Sequence, residues 1–293
     1  DAEIALSPGF RWGSSLLPGQ EITFYGNDAT PDVAANAKDI DLAGARAVVG
    51  PVLEDWRLGT EPPPAEPREA PSEAPAPVLA PTLLVHLPAA AQSSVLLCAP
   101  FVGTEAPDHA IGTLAVAVMG AGYSARLNQE VRIRRGLSYG VSGRVEQQRL
   151  TGLFIAAAQT GHIHAAAVAA LMQRQLLGLA QQPATPAELA ARRAALIGEF
   201  ARQLDTTSGM VARIGDDWAL GVASGHLARW SQRLEAVTPA QVQAFARRHW
   251  TPERLRTVIV GPLDRVFAAT APPPGAVRLE ASALVLDSPT LRR

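Results

Sequence analysis

The chain has 293 residues, 47% of them hydrophobic, and a formal net charge of −1 at pH 7. This length and apolar content suit one large domain, or one domain with part of a second. The near-neutral charge creates no field that would attract nucleic acid, and no apolar stretch reaches the roughly 20 residues that span a bilayer. The single cysteine, Cys98, excludes an intrachain disulfide and a multi-cysteine metal site.

Residues 1–81 contain the clearest boundary in the chain. The segment 59–81 holds eight prolines among acidic residues and alanines, a composition typical of an extended, exposed linker. Before it, "EITFYG" is typical of a strand, and residues 32–56 alternate apolar and polar groups at roughly helical spacing. Residues 1–58 are few for an independent domain, and we interpret them as the remnant or closing portion of a preceding one.

The chain after the linker begins with strand signals. Apolar runs at 82–88 and 93–101, bounded by prolines, predict neighbouring buried strands. Helical spacing over 108–120 and 123–136 then predicts two helices. Two further strands are predicted on either side of a turn at 149–152.

Capping signals mark several helix ends. Thr185 and Thr238 are each followed by proline and, three residues on, by Glu or Gln, which is the sequence of a capping box. In the earlier helix at 123–136, Ser124 is the predicted N-cap and Gly136 the predicted C-terminal stop.

The β-branched run at 255–261 predicts a final strand. Strands, then a helical block, then a closing strand indicate an α+β domain whose helices are layered on one face of a mixed, largely antiparallel sheet. We predict this domain over residues 82–265 and assign residues 266–293 to a C-terminal tail.

The chain lacks the signatures of a self-sufficient active site. Its six histidines form no HxxH, HxxEH or HExxH motif, and helical geometry would turn the one close pair, His162 and His164, about 200° apart. There is no GxSxG nucleophile motif and no glycine-rich phosphate loop. Four arginines lie between Arg126 and Arg135, but no aromatic residues alternate with them, so nucleic-acid binding is disfavoured.

Arg132 and Tyr139, in the stretch "VRIRRGLSYGV", are the remaining candidates for chemistry. Arginine carries five donors in a fixed fork and stays charged at any working pH, and tyrosine places a hydroxyl donor on a rigid ring. On a helix end and the following strand, the two could converge on an oxygen that develops negative charge, or on a peptide carbonyl. The alternative, which spacing alone favours, is a surface arginine and a tyrosine packed in the sheet.

The chain resembles the C-terminal domain of the M16, or pitrilysin-type, zinc peptidases in four stretches: "LPAAAQSSVLLCAPF", "MGAGYSARLNQEVRIRRGLSYGVSG", "TPAELAARRAALIGEFARQLD" and "LEAVTPAQVQAFARRHWTPERLRTVIVG". The stretches follow the family's order over residues 82–261. The most specific piece, 120–141, is similar to the family's Gly-rich turn, SRLN-type helix and R-x6-Y motif.

This resemblance implies an M16-type α/β roll, one of a pair of domains that enclose a proteolytic chamber. In the family, the first domain carries HxxEH and a distal Glu, which bind zinc and activate water, and the second supplies an arginine and a tyrosine. Arg132 and Tyr139 match those two positions, whereas Gln92 falls at a family-typical position without an assigned role. Because HxxEH is absent, we expect no metal or cofactor in this chain and a zinc ion on a partner chain or missing domain.

The sequence thus predicts a non-zinc, Arg/Tyr-bearing subunit or half of a peptidase that cleaves peptides or unfolded protein segments, paired with an HxxEH-bearing M16 subunit. The first ten residues lack a signal-peptide pattern and equally fit a cleaved end, so the compartment stays open between bacterial periplasm and cytoplasm. Two alternatives also stay open. One is a non-catalytic scaffold with the same fold, and the other is a stand-alone peptide-binding module in which strand 93–101 or 152–158 offers a sheet edge.

Overall fold

The computed structural model describes residues 43–44, 46–47, 80–222 and 225–285. The chain divides between Ala76 and Pro77, and the elements below belong to the second part. The four described residues near position 45 are helical, in the region where spacing predicts a helix. The rest of that region and nearly all of the segment 59–81 lie outside the described residues, so the assignment of residues 1–58 to a preceding domain stays a prediction.

A six-stranded mixed sheet is the centre of the fold. Its strands are β1 (Thr82–His86), β2 (Ser93–Val102), β3 (Ser138–Gln147), β4 (Thr151–Thr160), β5 (Arg256–Gly261) and β6 (Val277–Glu280). Their order across the sheet is β3-β4-β2-β5-β1-β6. β1 pairs in parallel with β5 and β6, and the other three neighbouring pairs are antiparallel. The predicted α+β class with a mixed, largely antiparallel sheet is confirmed.

Helices pack on the buried face of this sheet. Burial alternates along β2, so that Val95, Leu97, Ala99 and Phe101 join one core cluster with the helices. The helices are α1 (His109–Gly120), α2 (Arg126–Asn128, continued by a π-helical turn over Gln129–Arg134), α3 (Ala165–Gly178), α4 (Pro186–Leu204), α5 (Thr207–Ala219), α6 (Gly225–Glu235), α7 (Pro239–His249) and α8 (Leu263–Val266), with 3-10 turns at His162–His164, Pro252–Arg254 and Ala281–Ala283.

The predicted capping signals form in three of four cases. Thr185 and Thr238 each build a capping box with the residue three positions on. Gly136 ends α2 with a φ of +61°, and its N–H donates to the Arg132 carbonyl at 3.0 Å, as is typical of a glycine just past a helix.

The prediction that Ser124 is an N-cap is wrong. The N-cap of α2 is Ala125, which provides no side-chain cap. Ser124 Oγ instead accepts a hydrogen bond at 2.8 Å from Arg192, which belongs to α4. A tertiary partner 68 residues away therefore replaces the local bond that the sequence predicts.

Two predictions about strand positions are also wrong. The alternative of a peptide-binding module requires strand 93–101 or 152–158 to offer a sheet edge, yet β2 and β4 both lie inside the sheet, and its edges are β3 and β6. The strand at 255–261 is not the last one, because β6 follows within the predicted tail and pairs with β1.

Candidate functional site

Tyr139 lies near the start of the edge strand β3, where the ladder with β4 is irregular. Ser138 pairs with Thr160 and Val141 pairs with Ala158, so β3 uses one residue more than β4 between these pairs. Such a β-bulge redirects side chains and is common beside active sites. Tyr139 is 89% exposed, and the alternative of a tyrosine packed in the sheet therefore does not hold.

Hydrogen bonds on both sides fix the backbone around this bulge. Ser138 Oγ accepts from the Gly140 N–H at 3.2 Å and lies 2.7 Å from the Gln159 carbonyl oxygen. The Val141 N–H donates at 3.1 Å to Oδ1 of Asn128, a buried residue of α2. The ring of Tyr139 is thus exposed on a backbone that is well supported.

Arg132 projects from the π-helical turn of α2 toward two aromatic rings. Its guanidinium carbon lies 4.8 Å from the ring centre of Tyr139 and 5.1 Å from that of Tyr123, both within cation–π distance. The structure therefore brings the two predicted site residues into contact. Tyr123 is a third member of this group that the sequence analysis missed. Its only signal in the sequence is an aromatic residue beside a glycine turn, which does not indicate a contact with Arg132.

Arg132 differs from the other three arginines of its helix. Each of those is paired with a glutamate: Arg126 with Glu188 at 2.8 Å, and Arg134 and Arg135 with Glu130 at 3.2 and 2.8 Å. Within the part of the chain that the structure describes, the side chain of Arg132 makes no hydrogen bond or ion pair. Its five donors are therefore available to a ligand.

The paired arginines owe their fixed positions to ionised glutamates. The hydrogen bond from Arg135 holds the pKa of Glu130 below its usual value, although partial burial opposes the shift. Burial raises the pKa of Glu188, but the hydrogen bond and the charge of Arg126 outweigh it, and the net shift is downward. Both carboxylates thus stay charged near neutral pH and remain with their own arginines.

A groove of about 300 Å³ runs beside Tyr139. It is lined by the start of β3, by Gln159 at the end of β4, and by Gln92 just before β2. No role for Gln92 follows from the sequence, and the structure places it in the same groove as Tyr139. The lining residues are Gln92, Ser138, Tyr139, Gly140, Val141, Ser142 and Gln159.

The described residues contain no group of three His, Cys, Asp or Glu side chains that could hold a metal ion. The histidine pair His162 and His164 does not form a site either: His162 is buried, with its Nδ1 hydrogen-bonded to Ser93 Oγ at 2.9 Å, whereas His164 is exposed.

Cys98 is half-buried in β2, and burial raises the pKa of its thiol. None of the helices in the described ranges has the length and apolar character required to cross a bilayer.

Comparison with solved structures finds the same fold in several proteins. A peptidase M16 inactive domain from Pseudomonas fluorescens is 24% identical, with a TM-score of 0.59, and the match covers 66% of this chain and 45% of that one. An inactive peptidase domain from Bordetella parapertussis is 18% identical, with a TM-score of 0.51 and coverages of 58% and 93%. A chain of complex III2 from Candida albicans is 13% identical, with a TM-score of 0.57 and coverages of 64% and 47%.

The family follows from the sequence itself. A search of curated proteins gave no match, but the family model described as the peptidase M16 inactive domain matches residues 39–196, more than half of the chain. The chain belongs to this family, which confirms the resemblance to M16 peptidases. It spans less than half the length of the Pseudomonas fluorescens structure that it matches.

Proposed function

We propose that this chain is the non-zinc half or subunit of an M16 metallopeptidase, and that Arg132 and Tyr139 bind the substrate at a zinc site on a partner chain or further domain. One observation carries the proposal. Arg132 alone among four neighbouring arginines has no glutamate partner in the described residues, and it lies against an exposed tyrosine. An unpaired arginine beside an exposed hydroxyl suits recognition of an oxygen acceptor.

The chemistry divides between the two partners. The zinc ion, held by the HxxEH-bearing partner, would act as a Lewis acid and supply activated water for attack on a peptide carbonyl. In this chain, the fork of Arg132 and the hydroxyl of Tyr139 would donate hydrogen bonds to the carbonyl oxygen as negative charge develops on it, or to the backbone of the bound peptide. The bulge and its supports would hold these donors in place before the substrate arrives.

Co-purification tests the pairing. We expect the native chain to be isolated with an HxxEH-bearing M16 protein, and zinc and peptide cleavage to be found in the complex and not in this chain alone. Recovery of a metal-free, inert chain without such a partner would contradict the pairing.

Substitution tests the roles of the two residues. Tyr139→Phe in the assembled enzyme removes the hydroxyl and keeps the ring, and loss of one transition-state donor typically costs about 10²- to 10³-fold in kcat. We expect a loss of this size with unchanged zinc content. Cleavage at the wild-type rate would rule out the assigned role of Tyr139.

A non-catalytic scaffold is the second candidate. It is favoured by the likeness of the fold to a chain of complex III2, because that assembly uses the fold as one part of a larger complex. The scaffold differs from the first proposal in one measurable respect: peptide cleavage by the complex would not depend on Arg132 or Tyr139.

A further inference from the structure

The turn between α1 and α2 presents the ring of Tyr123 to Arg132. The ring centre lies 5.1 Å from the guanidinium carbon, and Tyr123 is 59% exposed. In the described part of the chain, the Tyr123 hydroxyl makes no hydrogen bond. Neither burial of the ring nor a bond to its hydroxyl therefore explains where Tyr123 lies, and the contact with Arg132 remains as its specific interaction.

Each residue of this turn from Ala121 to Ser124 accepts a hydrogen bond, three of them through a backbone carbonyl and Ser124 through its side chain. Arg192 donates to the Ala121 carbonyl at 2.9 Å and to Ser124 Oγ at 2.8 Å. The side chains of α2 bond the two carbonyls between them, Asn128 to Gly122 at 3.4 Å and Gln129 to Tyr123 at 3.3 Å. These bonds support the backbone that carries the exposed ring of Tyr123.

Close packing also fixes the turn against the site strand. The Cα atoms of Gly120 and Gly143 are so near that a Cβ on Gly120 would lie 2.7 Å from the Gly143 Cα. The end of α1 is therefore pressed onto β3, the strand that carries Tyr139. The turn that carries Tyr123 is therefore anchored to the same strand that carries Tyr139.

We propose that Tyr123 is a positioning residue, whose ring holds the guanidinium of Arg132 in the orientation that binds substrate. The inference rests on the proposed function of Arg132. A long arginine side chain is otherwise free to adopt many rotamers, and contact with the faces of two rings restricts it while its N–H donors, which lie in the guanidinium plane, stay available. Tyr123 acts through Arg132 and does not itself contact the reacting atoms.

The test is a double-mutant cycle in the assembled enzyme, with Tyr123→Leu, Arg132→Ala and the combination. We expect Tyr123→Leu to lower kcat/KM about 3- to 5-fold, within the range that a solvent-exposed arginine–ring contact supports. In the Arg132→Ala background, the same substitution should have no further effect. Tyr123→Phe, which keeps the ring face, is the matched control and should stay within about two-fold of the wild type.

The outcomes separate this inference from the proposed function. If Arg132→Ala leaves the rate unchanged, the proposed function fails. If Arg132→Ala lowers the rate but Tyr123→Leu does not, or if Tyr123→Leu costs the same in both backgrounds, positioning by Tyr123 is overturned.

A spectroscopic measurement tests the contact without activity. In the full chain labelled with ¹⁵N-arginine, the Hε signal of Arg132, assigned by its loss in Arg132→Lys, should carry the shift caused by a nearby ring. Tyr123→Leu should move this signal and Tyr123→Phe should leave it near its original position. An unmoved signal in Tyr123→Leu would show that the ring does not hold Arg132 in solution.

Discussion

The region around α2 and a second region use buried polar groups in opposite ways. The second region is formed by His109 of α1, Arg213 and Asp217 of α5, and His226 of α6. Around α2, Asn128 donates to one backbone group and accepts from another, and Arg192 bonds two groups of the adjacent turn. Across the second region, several buried side-chain atoms have no hydrogen-bond partner in the described residues: Nδ1 of His109, Nδ1 and Nε2 of His226, Oδ2 of Asp217 and Nε of Arg213. Near α2, the one such atom among the described residues is Nε of Arg192, which is also buried without a hydrogen-bond partner.

This difference indicates what each region is built to do. Polar side chains near α2 bind the backbone around half-buried Arg132 and the two exposed tyrosines. In the second region, the rings of His109, His226 and Trp230 pack against one another. His109 keeps one side-chain hydrogen bond, from Nε2 to Gln147 Oε1 at 3.2 Å, but its Nδ1 and both ring nitrogens of His226 are buried without a hydrogen-bond partner in the described residues, a costly arrangement. We therefore expect the first region to be rigid support for the site and the second to be the pH-sensitive part of the domain.

The largest expected effect concerns Asn128. Asn128→Leu would leave the Val141 N–H and the Gly122 carbonyl without their partner, and an unsatisfied buried group costs about 1–3 kcal/mol. We expect the free energy of unfolding to fall by about 3 kcal/mol, measured by chemical denaturation, and peptide cleavage to fall because both tyrosines lose support.

Gln129→Ala is the control for that substitution. Its bond to the Tyr123 carbonyl is solvent-exposed, so the loss of stability should be within about 0.5 kcal/mol. Equal losses for the Asn128 and Gln129 variants would contradict the special role of the buried amide.

The second effect is a dependence of stability on pH. Burial lowers the pKa of His109 to about 4 from its usual 6.5, so the unfolded chain binds more protons than the folded chain between these values. The stability of the neutral form is fully present above pH 6.5 and is lost as the pH falls toward 4. Between pH 7.5 and 5, this histidine should remove about 2 kcal/mol from the free energy of unfolding.

His109→Phe keeps an aromatic ring and removes the titration, so its stability should decline less over the same pH range. The pKa of His226 is also lowered, mainly by burial, and its contribution has the same sign and should persist in this variant. His164→Gln, at an exposed histidine, is the control and should decline as the wild type does. An unchanged slope in His109→Phe would contradict the assignment.

The smallest effects come from two glycine substitutions of opposite sign. Gly143→Ala would place a Cβ 2.8 Å from the Gly120 Cα, and such overpacking should cost roughly 1–2 kcal/mol. Gly215→Ala, in α5 with no atom within 4 Å of the new Cβ, should raise stability by about 0.5–1 kcal/mol. Thermal unfolding of both variants compares the regions directly, and a loss of similar size in both would contradict the difference in packing.

The sequence predicts the features that depend on neighbours in the chain. The capping boxes at Thr185 and Thr238 formed because their bonds join residues three apart, and the stop at Gly136 required only a local left-handed turn. The family resemblance and the contact between Arg132 and Tyr139 were also accessible, since a helix end and the next strand lie close in space.

Features that depend on distant partners could not be predicted. Ser124 accepts a hydrogen bond from Arg192 and does not cap its own helix. Strand β6 pairs with β1, almost two hundred residues earlier in the chain, and no local sequence pattern encodes either contact. The bulge beside Tyr139 requires knowledge of the register with β4, and the contact of Tyr123 with Arg132 depends on how the turn is held.

The central claim is that Arg132 and Tyr139 serve a zinc site on another chain or domain. The most direct test is to reconstitute the assembled enzyme with a chain that carries both Arg132→Ala and Tyr139→Phe, and to measure kcat/KM for a peptide together with zinc content and complex formation. The account predicts an intact, zinc-loaded complex whose kcat/KM is at least about 10²-fold lower. Cleavage at the wild-type rate by that complex would contradict the account and leave the chain as a scaffold.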